Sequence, residues 1–271
     1  MIHSCCYLRT KLGYGSRFNG LKLKLSWYAC ILGLLFSSFS IQAKEIIVAL
    51  EPLGYRPYYY SENGIIKGAV IEIIEHISQH LEHTVKYEEY PWPRMQHYLR
   101  IGQVDMVPIY LKTPDRTKYA AFPDTPSFYE SYYFYALTNT PKVFDGNLQS
   151  IAGLSIGEVR GYSYGVKYDN FNLLNRFQVA GEGQLLRMLL KNRVDLIIAN
   201  QAVVDDHVKK MKVEHEIDRL SPMIAKTPAY FAFSKAVTGN EALASEFSDA
   251  LKQFVKTQKY QDILHKYQIE E

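Results

Sequence analysis

Short apolar runs alternate with amphipathic stripes from residue 45 to residue 211, and this alternation restricts the fold more than any other feature of the chain. The run EIIVAL at 45–50 has the length of a strand. Val70, Ile73, Ile74, Ile77 and Leu81 then follow the stripe of a helix packed on a sheet, leaving Glu72, Glu75, Gln79 and Glu82 for water. A second strand is predicted over 85–90, a short helix over 94–101 and a third strand over 105–110. The loop PLGYRPYYYSENG after the first strand ends in Glu62-Asn63-Gly64, a tight-turn signal. This order of elements specifies an α/β unit with a mainly parallel sheet. A second such unit begins near Ala136, after an aromatic strand-like run at 131–137. It contains strands at 154–159 and 195–199, a helix at 184–191 with Leu185, Leu186, Leu189 and Leu190 inward, and a helix at 201–211.

The N-terminal stretch has a different character. Residues 1–43 carry Arg9, Lys11, Arg17, Lys22 and Lys24 and no acid, then an apolar run at 27–39 and the sequence Ser40-Ile41-Gln42-Ala43. A basic segment, a short apolar segment and a small residue describe an export signal cut after Ala43. The apolar run is shorter than the roughly 20 residues that span a bilayer. All three cysteines, Cys5, Cys6 and Cys30, lie in this leader, so the processed chain has no disulfide or thiolate metal site. Five of the 31 basic residues leave with it, so 26 basic residues face 28 acidic ones and the net charge moves from +3 to −2. A nucleic-acid partner is therefore not expected.

One turn points to a ligand. After the strand at 105–110, Thr113, Pro114 and Asp115 can cap a helix whose first turn holds Arg116. A cation there opposes the helix macrodipole, and a guanidinium with nearby N–H groups suits a carboxylate. The plain alternative is a surface arginine paired with Asp115 or Asp124. In open α/β sheets ligands bind beyond the carboxyl ends of strands, so Arg116, Tyr162, Ser163 and Asn200 are candidates to line one crevice.

The chain resembles the family 3 periplasmic solute-binding proteins, the amino-acid type, over nearly all of residues 44–271. The resemblance is carried by Pro57-Tyr58 after the first strand, by Gly102 and Asp105 before TPDR at 113–116, and by Asp124-Thr125-Pro126. It continues through the glycine-bearing strand and loop at 153–161, Arg193-Val194-Asp195 and a terminal helical pair at 241–267. It implies a type II two-lobed fold with a hinge, a cleft and two lobe crossings. Lobe one would comprise 44–137 plus 228–271, and lobe two 138–227. It also implies a monomer in the periplasm that presents a small solute to an inner-membrane ABC permease.

By the same resemblance Arg116 holds a carboxylate, while Ser163 and the backbone of the Gly161 loop donate from the other lobe. The amino-group half differs, because Leu111 stands where family members often carry a hydroxyl and Asn200 where they often carry an acid. Tyr55, Tyr58 and Trp92 would bring rings to the cleft edge, facing a flat solute or a cation. Arg94 is a second possible anion partner. His76, His80 and His83 read as a solvated helix face rather than a metal site, and no phosphate loop or dinucleotide fingerprint implies a cofactor. Catalytic residues are not expected, since neither Leu111 nor Asn200 transfers protons readily. A ligand-binding sensor for a membrane partner and a lyase or dehydratase on the same scaffold are the alternatives.

Overall fold

The computed structural model describes residues 43–141 and 144–269. The export signal expected from the sequence, with its three cysteines, falls at residues 1–43 and so lies outside the described residues except for Ala43. In chain order the elements are β1 (Glu45–Leu50), β2 (Tyr60–Glu62), β3 (Ile65–Lys67), α1 (Ala69–His80), β4 (Thr84–Glu89), α2 (Trp92–Ile101) and β5 (Met106–Leu111). Then come β6 (Ala120–Ala121), β7 (Phe128–Leu137), β8 (Ser155–Val159), α3 (Val166–Asp169), β9 (Asn175–Val179), α4 (Glu182–Leu190), β10 (Leu196–Asn200) and α5 (Gln201–Met211). The chain ends with β11 (Ile217–Arg219), β12 (Ala225–Ser234), α6 (Asn240–Phe254) and α7 (Gln258–Lys266). No helix among the described residues is long and apolar enough to cross a membrane.

The main sheet runs β4-β1-β5-β12-β7-β10-β8-β9. Each half is parallel where the sequence predicts it, with β1 beside β4 and β5, and β8 beside β9 and β10. The halves are joined by two antiparallel strands. β7 and β12 pair with each other at Phe128↔Ala229 through Tyr132↔Ala225 and then diverge. β7 continues along β10, pairing Phe134 with Ile198, while β12 continues along β5, pairing Phe233 with Met106. Each half can therefore tilt against the other by twisting one pair of strands, the geometry of a hinge.

Local sequence accounts for most of this. Val70, Ile73, Ile74 and Ile77 of α1 are at most 1% exposed, whereas Glu75, Gln79 and His80 face solvent. Burial of each such isoleucine stabilises the fold by about 1.5–3 kcal/mol. Asn63 and Gly64 both adopt positive φ, +53° and +76°, which turns β2 back onto β3 as the Asn-Gly signal predicts. β9 and α3 carry no clear sequence period. β9 is an edge strand with only Val179 buried, and α3 is a single turn. Four apolar clusters fill the layers, and the ring of Tyr162 packs against all four.

Candidate functional site

The turn after β5 departs from the sequence expectation. Only a 3-10 turn, Arg116–Lys118, follows it, too short for a helix macrodipole to act on Arg116. Thr113 rather than Asp115 accepts the Arg116 N–H, through Oγ1 at 3.3 Å. The surface ion-pair reading also fails for Asp115, which pairs with Lys118 at 3.0 Å and Arg100 at 3.8 Å. Arg116 itself is 6% exposed. Its guanidinium lies 4.0 Å from the Tyr110 ring centroid and donates to the carbonyls of Leu111 at 3.0 Å and Gly161 at 3.2 Å. Trp92 Nε1 donates to the same Gly161 carbonyl at 3.0 Å.

The loop after β8 thus meets Arg116 through the Gly161 carbonyl, an acceptor. The Tyr162 N–H is taken by the Val159 carbonyl, and the Ser163 hydroxyl donates to Asp169 of α3. Asp169 also accepts from the Tyr164 N–H at 2.9 Å, so α3 braces the loop. The Tyr162 ring stands edge-on to Trp92 at 5.0 Å and to Tyr55 at 6.2 Å. Its hydroxyl donates to Glu51 at 2.8 Å. The cavity between Arg116, Glu51, Glu130, Trp92 and Tyr162 has a free volume of about 30 Å³. That is room for a water molecule, so a larger solute reaches Arg116 only when the loop withdraws.

Two carboxyls, Glu51 and Glu130, line this cavity, and a third, Glu182, lies within electrostatic range of both; none of them was singled out by sequence reasoning. Glu130 accepts from the Tyr55 and Tyr132 hydroxyls, both at 2.8 Å, and from Asn200 Nδ2 at 3.0 Å. Desolvation still holds its pKa above the ordinary carboxyl range against those donors and the Arg116 charge. Glu51, just past β1, is pushed up to about 7 by burial, which outweighs the bonds from Tyr162 and Tyr59. Glu182, at the start of α4, is pushed up to about 8 by burial and then by repulsion from Glu51. A signal for Glu130 did exist. Phe128, Glu130, Tyr132 and Phe134 occupy alternate positions and are all buried, so an acid stands in the inward row of a strand.

The remaining candidates divide. Tyr55 and Trp92 line the cavity with Arg116, Tyr162 and Ser163. Tyr58 stacks on Phe128 at 4.6 Å and on Tyr55 at 5.4 Å, buried behind the wall. Asn200 caps α5 by accepting the Val203 N–H at 3.3 Å and reaches the site only through Glu130. Arg94 faces solvent on α2, away from the cavity wall. His83 pairs with Glu246 at 3.4 Å, His76 packs at a tilt on Phe254, and no group of metal-ligating side chains occurs among the described residues.

The cleft therefore combines one guanidinium with carboxyls that meet only neutral donors. It can hold a solute carrying both an anionic and a cationic group. Because Glu130 is fully enclosed, removing a single donor is costly: Tyr55→Phe is expected to lower unfolding free energy by about 1–2 kcal/mol in urea titration. Tyr60→Phe, at the partly exposed Tyr60, serves as the comparison, and equal losses would contradict this role for Tyr55.

Residues 46–270 match the family described as bacterial extracellular solute-binding proteins, family 3. Similar solved structures include an ancestral arginine-binding protein bound to arginine, with 20% identity, TM-score 0.71, and coverage of 82% of this chain and 97% of that one. A histidine kinase sensor domain with similarity to periplasmic binding proteins gives 19% identity, TM-score 0.72, and 82% and 95% coverage. The ancestral amino acid-binding protein AncCDT-1, a precursor of cyclohexadienyl dehydratase, gives 17% identity, TM-score 0.68, and 82% and 95% coverage. At these identities the structures establish a shared fold, and the match over residues 46–270 establishes that the chain belongs to family 3 of the bacterial extracellular solute-binding proteins.

Proposed function

We propose that this family 3 solute-binding protein closes over a small amino-acid-like solute whose carboxylate is held by Arg116 and whose amine is held by Glu130 and Glu51. The observation that carries this reading is the buried Arg116 fork, stacked on Tyr110 and capped only by carbonyl oxygens that a carboxylate can displace. Glu130 supplies the negative group that Leu111 and Asn200 lack, and Asn200 orients it. The rings of Tyr55, Trp92 and Tyr162 give the cleft an apolar wall suited to an aromatic or aliphatic solute body. The division we propose is lobe one at 44–137 plus 228–271 and lobe two at 138–227, with closure by twisting of β7 and β12.

In this reading the chain is exported with cleavage after Ala43 and works as a periplasmic monomer. It hands its solute to an ABC permease or reports occupancy to a membrane sensor. A thermal-shift screen against amino acids, diamines, peptides and simple carboxylates tests it. Solutes carrying both an amine and a carboxylate are expected to raise Tm in proportion to the logarithm of concentration, and simple carboxylates less. No shift with any amine-bearing carboxylate would remove the proposal.

A second reading has its own observation. Glu51 and Glu182, which burial pushes up to about 7 and about 8, have the protonation behaviour of a general acid. A lyase or dehydratase on this scaffold would turn its solute over. Product formation from a solute that stabilises the protein, lost in Glu51→Gln or Glu182→Gln, distinguishes this reading from binding alone.

A further inference from the structure

The loop after β8 fills the cleft with atoms of the chain itself. The Gly161 carbonyl accepts from Arg116 at 3.2 Å and from Trp92 Nε1 at 3.0 Å, so both of its lone pairs are taken by the opposite face. The backbone there lies so close to α2 that a Cβ at Gly161 would stand 3.0 Å from Gln96 Nε2. Next along the chain, the Tyr162 ring stands edge-on to Trp92 and to Tyr55, with centroids at 5.0 and 6.2 Å. At the far end of that ring the hydroxyl donates to Glu51 at 2.8 Å, where Tyr59 also donates at 3.4 Å. The space left beside these groups is about 30 Å³.

These are the positions that a solute held by Arg116 would take. An anionic oxygen belongs on the guanidinium, an apolar body between the rings and a donor against a carboxyl. The chain puts a carbonyl oxygen, a ring and a hydroxyl there instead, in that order. Their spacing is covalent. The nitrogen, Cα and Cβ of Tyr162 separate the Gly161 carbonyl carbon from the ring, and the hydroxyl stands para to that linker. Because the ring packs against all four apolar clusters, its volume is not free for a second occupant.

We propose that the Gly161–Tyr162 segment is a tethered stand-in for the solute, and that the class of solute it marks is an aryl carboxylate: a carboxylate joined by a linker of the same length to an aromatic ring with a hydrogen-bond donor at its far end. The stand-in presupposes that Arg116 holds a carboxylate, as proposed above. A carboxylate brings two charged oxygens to the guanidinium where the segment brings one neutral oxygen, so the solute gains a bidentate contact as it displaces the loop. Glu130 accepts from Tyr55, Tyr132 and Asn200 rather than from this segment, and stays for the solute's amine. Displacement also sets the affinity. Solute binds only the fraction of molecules whose loop has withdrawn, so its apparent affinity is lowered by that fraction, and weakening the segment raises it.

The probe is 4-(4-hydroxyphenyl)butanoate, in which the carboxyl carbon and the ring are as many atoms apart as in the segment. The full chain is refolded from denaturant to strip bound solutes, and Kd is measured by calorimetry. In Tyr162→Ala the probe is expected to bind at least about tenfold more tightly than in the parent. Tyr162→Phe keeps the ring and breaks only the bond to Glu51, so a smaller gain in the same direction is expected; it carries the test where the alanine variant does not fold. In Tyr162→Ala, 4-phenylbutanoate, which lacks the hydroxyl, should bind about tenfold more weakly than the probe. The same holds for 4-propylphenol, which lacks the carboxylate. Phe171→Ala, at a half-buried ring outside the cavity wall, should match the parent. Failure of both Tyr162 variants to gain affinity, an equal gain in Phe171→Ala, or equal binding of 4-propylphenol overturns the stand-in. Carboxylate binding survives that result if amine-bearing carboxylates still bind the parent and are lost in Arg116→Ala. Conversely, a gain in Tyr162→Ala that Arg116→Ala leaves intact removes the carboxylate from Arg116 and keeps Tyr162 in the place of the solute's ring.

Discussion

Arg116→Ala is expected to weaken binding of an amine-bearing carboxylate by about 2–5 kcal/mol, a loss of roughly 30-fold to several thousandfold. The size follows from burial. Arg116 is 6% exposed and its guanidinium is flanked by the Tyr110 and Trp92 rings, so water cannot replace the lost bidentate contact. Arg116→Lys should fall between the parent and alanine, because it restores the charge without the planar fork. The arginine also bridges Leu111 and Gly161, so the unfolding free energy of each variant must be measured without solute as well. Unchanged affinity in Arg116→Ala, by calorimetry with any solute found in the thermal screen, would show that the carboxylate is held elsewhere.

The second large effect is structural and reaches the cleft through the backbone. Gly68 precedes α1 at φ +133°, and a Cβ built there would lie 2.1 Å from the Tyr58 carbonyl oxygen and 2.5 Å from its carbon. Neither atom can move aside cheaply. The Pro57 and Tyr58 carbonyls accept the N–H groups of Ala69 and Val70 at 3.2 and 3.0 Å, so they satisfy the first donors of the helix. Gly68→Ala should therefore cost about 2–5 kcal/mol of unfolding free energy, from backbone strain together with overpacking. It should also weaken solute binding, because the displaced segment carries Tyr55 and Tyr59 into the cavity wall. Gly239→Ala is the comparison: its φ is +88° with nothing within 4 Å, so about 1–2 kcal/mol is expected. Equal losses in urea titration at the two positions would mean that the close approach at Gly68 is not what holds the loop.

The elements carried by strong local periods were legible. The stripe of α1, the apolar run of β1 and the Asn63-Gly64 turn are repeats or dipeptides whose preferred conformation is set within a few residues. β9 and α3 were missed because an edge strand with one buried residue and a single helical turn need no such period. The site was legible in part. Arg116 was found from its turn, although its surroundings turned out to be a 3-10 turn, and the Gly161 loop lies opposite it, meeting it through a backbone carbonyl. Asn200, read as a ligand contact, caps a helix and donates to Glu130.

The carboxyls were missed for a different reason. Whether an acid is solvated or buried depends on what faces it, and Glu51 looks like any polar residue at a strand end until Tyr162, 111 positions away, covers it. Glu130 likewise gains its donor from Tyr55, 75 positions away. By itself the sequence determined the α/β alternation, the family and the strand-end arginine, because periodicity and turn chemistry act between near neighbours. Only the tertiary structure decided that Glu51, Glu130 and Tyr162 line one cavity with that arginine, because burial, and the charge state it imposes, comes from contacts between segments far apart in the chain.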